Sequence, residues 1–434
     1  MISYARAREI LTRVAGERGA WGSETVTLDQ AMGRILAQDL ASPESVPSFD
    51  NSAMDGFAVN SMDTFSASPA TPLVLNVRGC IAAGETPIRG EFPQGAFDTF
   101  EIMTGAPMPF SESAKKWDAV IKIEEVEVTR DREGNAKSIV LRRAVRPSEN
   151  VRFLGTDFKR GNPLAQKGHV ITAESIMALA TLGVVKFSVL RRPKVVFLST
   201  GRELVDSNTA DLKPGFIRNS SAPFIAAALK SFGVDAKFLG VIADDASEFE
   251  RALDQALAEK PDVILTTGAV SMGKFDFVAQ VLEKKGAQTF FHKVNIRPGK
   301  PILFARFGET SFFGVPGNPV STAVGLRFFV IPFLRDLMGV GKEPALMARL
   351  DRAVKKPQGL ECFYKARLWV SSDKGQQGQL RVKILSGQES FMVSPLLEAN
   401  AWAVLPEQRD ALKEGELIEV LPLGATLSEG VVIL

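Results

Sequence analysis

The pattern of hydrophobic and polar positions predicts several kinds of segment along the chain. Near its start, apolar side chains recur at helical spacing and predict an amphipathic helix. They are Ile2, Ala5, Ile10, Leu11 and Val14. Between Pro72 and Pro147, short apolar runs alternate with polar residues and predict the strands of a β domain. A loop rich in small and polar residues, 47–56, precedes this domain.

From Lys194 the pattern alternates between strand and helix, which predicts a parallel sheet covered by helices. Strands are expected at 194–200, 236–242, 262–267, 301–305 and 311–315. Ser247 and Glu250 are interpreted as the capping box of one helix, and a longer helix is predicted from Pro319 to about Leu337. Beyond it, strands alternate with turn residues and predict an all-β domain.

Composition and charge narrow the classes of function. At about 150 residues per domain, 434 residues correspond to roughly three domains. The 52 Lys and Arg residues nearly balance the 50 Asp and Glu residues, and the net charge is +2. The basic excess typical of nucleic-acid binding is therefore absent, and any anion site has to be local.

Nothing in the sequence indicates a membrane span or a secretory signal. No apolar run approaches the length of about 18 residues that a membrane helix needs, and Arg6, Arg8 and Glu9 interrupt the N-terminus where a signal peptide is apolar. We therefore expect a soluble, cytoplasmic protein with no nucleic-acid and no membrane partner.

Few residues are available for ligating soft metals. Cys80 and Cys362 are far apart in the sequence, and the histidines are His169 and His292 alone. Unpaired cysteine spacing is typical of a reducing compartment. A metal ion would thus be held by carboxylates and water, as magnesium is.

The turns that follow the predicted strands of the α/β segment contain the candidate ligand site, because ligands of open α/β sheets bind at the carboxyl ends of the strands. Small residues there let backbone amides approach a phosphate, and Asn318 before Pro319 suits the start of a helix. Any one of these turns could instead be only a tight turn, but several at one sheet edge favour a ligand site. The candidate binding residues are Ser199, Thr200, Gly201, Thr267, Gly268, Ser271, Gly273, Pro316, Gly317 and Asn318.

Three acidic residues, Glu203, Asp244 and Asp276, follow successive strands and are candidates for holding hydrated magnesium against phosphates. The alternative is that each acid only caps or solvates the start of a helix, which is the interpretation we prefer for Asp245. The spacing of 268–274 resembles a P-loop, but the next residue is a phenylalanine, which cannot supply the hydroxyl that binds magnesium there.

The segment 292–301 contains three cations, Lys293, Arg297 and Lys300, on a turn that Pro298 and Pro301 stiffen. Three positive charges on one turn suit an oxyanion. The alternative is a solvated basic loop.

Together these motifs resemble the molybdopterin molybdenumtransferase family, which includes the MoeA proteins of bacteria and the E domain of gephyrin. The resemblance covers nearly the whole chain. It rests on FDNSAMDGFAV (49–59), EIMTGAPMP (101–109), NVRFLGTDFKRG (150–161), STGREL (199–204), TTGAVSMGKFDFV (266–278), KVNIRPGKP (293–301) and GVPGNPVS (314–321).

The resemblance implies a fold class and a domain organisation. It implies a multidomain α/β plus β protein whose central α/β domain, with a parallel-type sheet, is similar to molybdopterin-binding proteins. β-rich N-terminal domains and a C-terminal all-β, barrel-like domain complete it. The implied domains are a discontinuous N-terminal linker or dimerisation domain (1–46 and 146–192), an inserted β domain (47–145), the α/β domain (193–337) and the C-terminal domain (338–434).

The resemblance also implies the reaction, which is magnesium-dependent insertion of molybdate into adenylylated molybdopterin with release of AMP. It implies a homodimer whose site is completed by the partner subunit. Candidate further partners are a molybdopterin adenylyltransferase and molybdoenzyme maturation factors. Two alternatives remain, a molybdopterin-binding or scaffolding protein without transferase activity and a nucleotide-dependent enzyme of unrelated chemistry.

Matching the family motifs position by position gives the site residues that the resemblance implies. The catalytic candidates are Asp55, Thr104, Glu203, Asp244 and Asp276, of which the last three are also the metal candidates. Arg152, Asp157, Lys293, Arg297, Lys300, Lys365 and Ser390 are candidate substrate-binding residues. The chain departs from the family pattern at Arg202, which replaces an acid, at Ala269, which replaces a glycine, and at Arg297 and Lys365, which replace a lysine and an arginine.

Overall fold

The chain divides into two units in a computed structural model that describes residues 1–90, 97–111, 116–270, 277–373, 375 and 377–425. Unit 1 contains 1–38, 168–172 and 187–434, and unit 2 contains 39–167 and 173–186. The four domain boundaries expected from the sequence stay predictions. Within the described ranges, no helix combines the length and the apolar character needed to cross a lipid bilayer.

Seven α-helices are formed by the described residues. They are α1 (Tyr4–Gly16), α2 (Ala173–Thr181), α3 (Ser221–Ser231), α4 (Ala246–Ala258), α5 (Val278–Lys284), α6 (Pro319–Gly325) and α7 (Ile331–Leu337). A π-helical turn, Leu326–Val330, joins α6 to α7, so the long helix predicted from Pro319 to about Leu337 is confirmed.

The described strands are numbered in chain order. Those before residue 194 are β1 (Ser23–Thr27), β2 (Leu40–Ala41), β3 (Asn51–Ser52), β4 (Gly56–Val59), β5 (Leu73–Ile81), β6 (Arg89–Gly90), β7 (Asp98–Ile102), β8 (Phe110–Ser111), β9 (Ala119–Lys122), β10 (Glu127–Arg130), β11 (Ala136–Leu141), β12 (Val151–Arg152), β13 (Pro163–Ala165) and β14 (Lys186–Leu190). The next are β15 (Lys194–Thr200), β16 (Leu204–Val205), β17 (Ile217–Arg218), β18 (Asp235–Ile242), β19 (Val263–Thr267), β20 (Gln288–His292), β21 (Ile296–Arg297), β22 (Leu303–Phe307) and β23 (Thr310–Val315). The last are β24 (Leu346–Leu350), β25 (Val354–Lys355), β26 (Glu361–Val370), β27 (Leu380–Ile384), β28 (Ala401–Leu405), β29 (Ala411–Leu412) and β30 (Leu417–Pro422).

The central sheet of unit 1 has the strand order β18-β15-β19-β23-β22-β20. Strands β18, β15, β19 and β23 are parallel neighbours, as the alternation of strand and helix predicts. β22 is antiparallel to both β20 and β23, so the predicted parallel-type sheet contains one strand of opposite direction. The reason is the connection, because only Gly308 and Glu309 separate β22 from β23, and so short a loop can join only antiparallel strands.

Side chains of β15 alternate between the two faces of this sheet. Val195 and Phe197 join a buried cluster with residues of α1, α3, α6 and α7, whereas Val196 and Leu198 join another with residues of α4 and α5. A strand places successive side chains on opposite faces, so a strand that is covered on both faces is apolar throughout. This arrangement leaves the carboxyl ends of the strands as the open edge of the sheet.

The first helix, α1, buries Ala7, Ile10, Leu11, Val14 and Ala15. The predicted amphipathic helix is therefore confirmed, but Ala5 is exposed and Ala7 takes the place expected for it on the buried face.

The start of α4 differs from the predicted capping box. Asp245 is the N-cap, and its Oδ1 accepts hydrogen bonds from the amides of Ser247 at 2.9 Å and Glu248 at 3.1 Å. The capping box of Ser247 and Glu250 is therefore wrong, because an acid two residues earlier accepts the free amides. Glu250 instead binds Lys284 of α5 at 2.9 Å. The interpretation of Asp245 as a helix-start residue is confirmed.

The C-terminal part of unit 1 is a closed sheet, as the pattern of strands and turns predicts. The pairing runs β26-β27-β24-β30-β28, and β28 pairs again with β26. Five strands thus form a small barrel, and β21 extends it by pairing with β26. Buried side chains that include Cys362, Ala366 and Val382 fill its interior.

Unit 2 is built on a sheet of strand order β10-β11-β5-β7-β4-β9. Gly56 is required where β4 pairs with β9, because a Cβ on this residue would lie 2.0 Å from the carbonyl oxygen of Ile121. The glycine of the MDG motif thus has a structural function next to its candidate catalytic neighbour, Asp55.

One buried carboxylate, Asp262, joins distant segments of unit 1. Its side chain accepts hydrogen bonds from Arg18 at 3.0 Å, from Arg191 at 2.8 Å to each oxygen, and from the amide of Lys194 at 2.8 Å. Burial alone would raise the pKa of Asp262, but the hydrogen bonds from Arg191 and Lys194 outweigh burial and hold this pKa below its ordinary value. The ionised form is therefore the form that the fold stabilises.

We expect Asp262→Asn to lower the free energy of unfolding by about 2–4 kcal/mol, because it removes the carboxylate that Arg191 binds through both oxygens and the buried one of the two carboxylates that Arg18 binds. Since the folded-state pKa lies below the unfolded value, the contribution of Asp262 is complete above the ordinary pKa of 3.8 and is lost as the pH falls through the lowered value. Denaturant unfolding at several pH values measures both effects.

Glu309→Gln is the matched control, because Glu309 also binds Arg18, at 3.1 Å, but its side chain is 76% exposed. This control should change the unfolding free energy by less than about 1 kcal/mol. Equal losses in the two variants would contradict the assignment of Asp262 as the stabilising partner.

Candidate functional site

Two adjoining cavities lie at the carboxyl ends of the parallel strands of unit 1. The first has a volume of about 660 Å³ and the second about 590 Å³. Gly268, Ala269, Gly317, Asn318 and Phe391 line both cavities. The turns after β15, β19 and β23 therefore meet at one edge of the sheet, where the sequence places the candidate ligand site.

The turn after β19 approaches the end of β15 so closely that only glycine fits. Gly268 has φ of +89°, and a Cβ on it would lie 2.6 Å from Oγ1 and 2.7 Å from the carbonyl oxygen of Thr200. A Cβ on Gly317 would be in ordinary van der Waals contact with the Cα of Gly268, at 3.5 Å. Small residues thus bring three backbone segments together as the common floor of the two cavities.

A buried hydrogen-bond network supports this floor from below. Oγ of Ser199 accepts from Nδ2 of Asn219 and from Oγ1 of Thr267, each at 3.0 Å. Oγ1 of Thr200 donates to the carbonyl oxygen of Thr267 at 3.2 Å. Ser199 is fully buried and lines neither cavity, so the structure places it as a support beneath the floor.

The first cavity has an acidic wall. Glu203 and Asp244 both line it, together with Thr200, Thr267 and one cation, Arg218. Carboxylate oxygens are ligands that Mg²⁺ accepts, completed by water and substrate oxygens, so these two acids fit the expected ion. Among the described residues no group of three His, Cys, Asp or Glu side chains forms a metal site.

The candidate residues Ser271, Gly273 and Asp276 lie outside the described residues, so their placement and the complete metal set stay predictions. Arg202, which replaces a family acid, does not line the described cavities. Its backbone amide donates to Oδ2 of Asp244 at 3.4 Å. Its charge also acts on Asp245, whose pKa is held below the ordinary value by hydrogen bonds from Ser247 and the Glu248 amide and by the Arg202 guanidinium.

The second cavity has a basic wall. Arg297 and Lys300 line it, with Pro298, Gly299 and Pro301. The amide of Val294 donates to the carbonyl oxygen of Lys300 at 3.0 Å and closes this turn. Pro298 and Gly299 are buried while both cations are exposed, so the turn is fixed and its charges face outward.

Lys293, the third predicted cation, lines neither cavity. It is half-buried at the end of β20, with φ of +79°. The structure therefore brings together two of the three cations of this segment at the second cavity.

A loop of the C-terminal barrel, residues 387–392, completes the second cavity. Gln388, Glu389, Ser390 and Phe391 line it together with Pro316. The amide of Val320 in α6 donates to the carbonyl oxygen of Ser390 at 3.0 Å and joins the loop to the cavity floor. Ser390 thus lines the second cavity, and its contact with a substrate stays a prediction.

Lys365 is placed differently from Ser390. It is fully buried in β26 and lines neither cavity. Burial lowers the pKa of its ammonium group. Direct contact of Lys365 with an oxyanion stays a prediction.

Unit 2 holds the remaining candidates. Oδ1 of Asp55 accepts hydrogen bonds from the amide and the hydroxyl of Thr104, at 2.7 and 3.0 Å, and both residues are exposed. Arg152 lies opposite Asn51 in the β12–β3 pair, and the amide of Asp157 binds the carbonyl oxygen of Val46 at 3.0 Å. The structure thus joins Asp55 directly to Thr104 and leaves Arg152 and Asp157 as exposed surface residues.

Sequence reasoning missed several residues that shape the cavities. Asn219 is buried, lines the first cavity, supports Ser199 and accepts from the amide of Ala222 at 3.1 Å at the start of α3. The signal was present as a polar run, Arg218 to Ser221, directly before an apolar helical segment. For Gln388, Glu389, Phe391 and Val393 no local signal existed, because they are brought to the site by the barrel.

The fold and the two cavities define a multidomain α/β protein with a candidate ligand site at the carboxyl ends of the parallel strands of its central sheet. Family models match the chain in three consecutive regions: "MoeA N-terminal region (domain I and II)" at residues 2–183, "Probable molybdopterin binding domain" at 196–336 and "MoeA C-terminal region (domain IV)" at 347–423. The chain belongs to the molybdopterin molybdenumtransferase (MoeA) family, and the resemblance expected from the sequence is confirmed.

Relatives named molybdopterin molybdenumtransferase match this chain over nearly its full length. A molybdopterin molybdenumtransferase of Synechococcus elongatus is 37% identical, covering 98% of this chain and 100% of the relative, and one of Haemophilus influenzae is 34% identical, covering 93% and 95%. Two solved structures of a molybdopterin biosynthesis MoeA protein from Pyrococcus horikoshii have TM-scores of 0.78 and 0.76 at 30% and 27% identity, covering 97–98% of this chain and 99–100% of theirs. The protein is an enzyme of this type, with a role in molybdenum cofactor biosynthesis.

Ala269, where the family pattern has glycine, has φ of +51° on the shared floor. The left-handed conformation costs an alanine about 1 kcal/mol or more, whereas glycine adopts it without strain but loses more entropy on folding. We expect Ala269→Gly to raise the free energy of unfolding by about 0.5 kcal/mol, measured by denaturant unfolding.

Ala228→Gly in the middle of α3 is the matched control, and it should lower the same free energy by about 1 kcal/mol, because an ordinary helical alanine is replaced. A loss of stability in both variants would show that Ala269 is not strained.

Proposed function

We propose that the protein inserts molybdate into adenylylated molybdopterin in a magnesium-dependent reaction that releases AMP. The observation that carries the proposal is the pair of adjoining cavities, one with an acidic wall and the other with a basic wall, that share one floor of small residues. The adenylylated substrate has a pyrophosphate at one end and a group that accepts molybdenum at the other. It therefore needs an acidic wall and a basic wall that are no further apart than the length of the substrate itself.

In this proposal the acidic cavity receives the pyrophosphate of the adenylylated substrate. Glu203 and Asp244 hold the magnesium ion, which neutralises phosphate charge when it is bound. Gly268 and Gly317 let the substrate approach the backbone closely, because neither has a side chain over the shared floor. Asp276 is proposed as a further ligand from its position in the sequence.

The basic cavity receives molybdate as substrate. Arg297 and Lys300 provide charge-assisted hydrogen bonds to its oxygens, and Lys293 contributes positive charge from the same segment. The backbone hydrogen bond between Val294 and Lys300 fixes the main chain of this turn, so binding orders only the side chains of Arg297 and Lys300.

The overall proposal is tested by incubating the purified protein with adenylylated molybdopterin, molybdate and magnesium and measuring AMP. We expect AMP release that depends on all three components. Molybdopterin binding without AMP release under these conditions would favour the binding or scaffolding alternative.

We also propose a cytoplasmic location, with a molybdopterin adenylyltransferase supplying the substrate and molybdoenzyme maturation factors accepting the product.

The two walls should be separable by mutation. We expect Asp244→Asn to lower AMP release by about a hundredfold and to shift its magnesium dependence, since one ligand charge is lost.

We expect Lys300→Met to raise the molybdate concentration for half-maximal turnover by about tenfold, the worth of one charge-assisted hydrogen bond. Titration of magnesium and molybdate against each variant measures both effects.

Asp211→Asn serves as the control, because Asp211 is an exposed carboxylate in the connection between β16 and β17 that lines neither cavity. It should leave both titrations unchanged. The division into walls is wrong if Lys300→Met alters only the affinity for the pterin, or if Asp244→Asn alters only the molybdate dependence.

We further propose a homodimer in which unit 2 of one subunit completes the site on unit 1 of its partner. The reason is that Asp55 and Thr104 form an exposed polar pair on unit 2, whereas the two cavities belong to unit 1. Light scattering of the purified protein at micromolar concentration should give a dimer.

Mixing two inactive variants tests this arrangement directly. A dimer of one Asp55→Asn and one Asp244→Asn subunit has one site in which both contributing chains are intact, so a statistical mixture should recover about a quarter of the full activity. Mixing Glu203→Gln with Asp244→Asn is the control, because both changes affect unit 1, and no activity should return. Recovery in neither mixture would show that each chain uses its own Asp55.

A further inference from the structure

The 387–392 loop has its two ends held by one buried side chain. Nζ of Lys365 donates to the carbonyl oxygen of Gly387 at 2.5 Å and to that of Met392 at 2.8 Å. Lys365 is fully buried, and it has no ion-pair partner within the part of the chain that the structure describes. Burying an ammonium group costs free energy unless its N–H groups are hydrogen-bonded. In Lys365 the two carbonyl groups accept these hydrogen bonds.

The backbone of Lys365 binds the same loop. Its amide donates to Oε1 of Gln388 at 3.0 Å, and its carbonyl oxygen accepts from Nε2 of Gln388 at 2.9 Å and from the amide of Leu385 at 3.0 Å. Gln388 therefore pairs with β26 as a neighbouring strand would. Main chain and side chain of one residue thus fix the start and the end of the loop.

Between these two ends the loop presents its central residues to the site. Ser390 lines the second cavity, and Phe391, whose side chain is 67% exposed, lines both. The carbonyl oxygen of Ser390 accepts from the amide of Val320. This amide lies in the first turn of α6, where no partner within the helix exists, so its protection depends on the position of the loop.

We infer that Lys365 is a positioning residue that ties the two ends of the 387–392 loop and so holds Ser390 and Phe391 against the cavity floor, without itself contacting the oxyanion. The inference deepens the proposed function, because it assigns how one wall of the basic cavity is held. It differs from the direct contact implied by the family resemblance, since Lys365 is fully buried, lines neither cavity and gives two of its three N–H donors to backbone carbonyl groups.

Hydrogen exchange of the protein without substrate tests the inference independently of the proposed reaction. In Lys365→Met, which keeps the length of the side chain and removes the donors, we expect the amide of Val320 to exchange about tenfold faster, because its acceptor on Ser390 is no longer held. The amide of Thr322 is the internal control, since its acceptor is the carbonyl oxygen of Asn318 in the same segment, at 2.9 Å. Its exchange should not change.

Lys356→Met is the matched variant. Lys356 is also a buried lysine of the barrel region, and its Nζ donates to the carbonyl oxygen of Leu360 at 2.7 Å, outside the 387–392 loop. A similar loss of stability with unchanged exchange at Val320 is expected. Lys365→Arg retains the charge and the donors, so it should restore slow exchange at least in part.

Gly387→Ala changes the start of the loop and leaves Lys365 itself unsubstituted. It is the variant to use if Lys365→Met does not fold. Gly387 has φ of +71°, and a Cβ there would lie 3.1 Å from Cε of Met392 and Cγ of Pro395. We expect this variant also to speed exchange at Val320. Unchanged exchange at Val320 in folded Lys365→Met, or in Gly387→Ala where the first variant does not fold, would overturn the inference.

A titration with molybdate separates positioning from direct contact. If Lys365 positions the loop, Lys365→Met and Gly387→Ala should weaken the response to molybdate to a similar extent, because both release Ser390. A loss confined to the lysine variant, with Val320 exchanging slowly in both, would assign Lys365 to the oxyanion instead. Failure of the AMP assay would leave the exchange result standing, so the two proposals fail separately.

Discussion

The site of this protein depends on how closely the backbone turns approach one another at the open edge of the central sheet. Gly268 lies so near Thr200 that no side chain could stand between them, and its positive φ excludes most other residues. Because the two turns touch, the cavities on either side share a floor made of backbone. A ligand that spans the two cavities then contacts main-chain groups in its middle and charged side chains at its ends.

This constraint explains why a nearly neutral protein can bind a highly charged ligand. The net charge of +2 provides no general attraction for anions. Instead, Glu203 and Asp244 lie on one side of the shared floor, and Arg297 and Lys300 on the other. Acids therefore outnumber cations in the lining of the first cavity, where Arg218 is the cation, and cations outnumber acids in the second, where Glu389 is the acid, a local difference that the net charge of the whole chain does not show.

Local patterns in the sequence were sufficient for the features that depend on neighbouring residues. Helix α1, five of the six strands of the central sheet and the general strand pattern of the barrel were predicted, because burial on one or both faces leaves a direct signal in the apolar positions. Strand β20 was not predicted. The direction of β22 could have been inferred from its two-residue connection to β23. The cap of α4 was misplaced because two capping patterns overlap, and Asp245 competes successfully with Ser247 for the same free amides.

Features that depend on distant residues gave no such signal. The hydrogen bond between Val320 and Ser390 joins segments 70 positions apart, and neither residue is unusual in its own stretch of sequence. Lys365 illustrates the same limit, because a lysine within an apolar strand reads as an interruption of the pattern, and only the tertiary fold supplies the carbonyl groups that satisfy it. The family resemblance gave Lys365 as a candidate substrate-binding residue, and sequence alone does not distinguish contact with a ligand from support of the loop that lines the cavity.

The C-terminal barrel is therefore part of the site rather than an appendage to the α/β domain. Its loop reaches the start of α6 and forms the wall that the sheet edge lacks, and β21, in the basic segment, pairs directly with β26 of the barrel. Strand β26 thus pairs with Arg297 through its backbone and, through the side chain of Lys365, binds Gly387 and Met392 at the two ends of the loop that contains Ser390. A change in the barrel that shifts β26 would move both groups together, so the geometry of the basic cavity is set by the barrel as much as by the sheet whose edge it occupies.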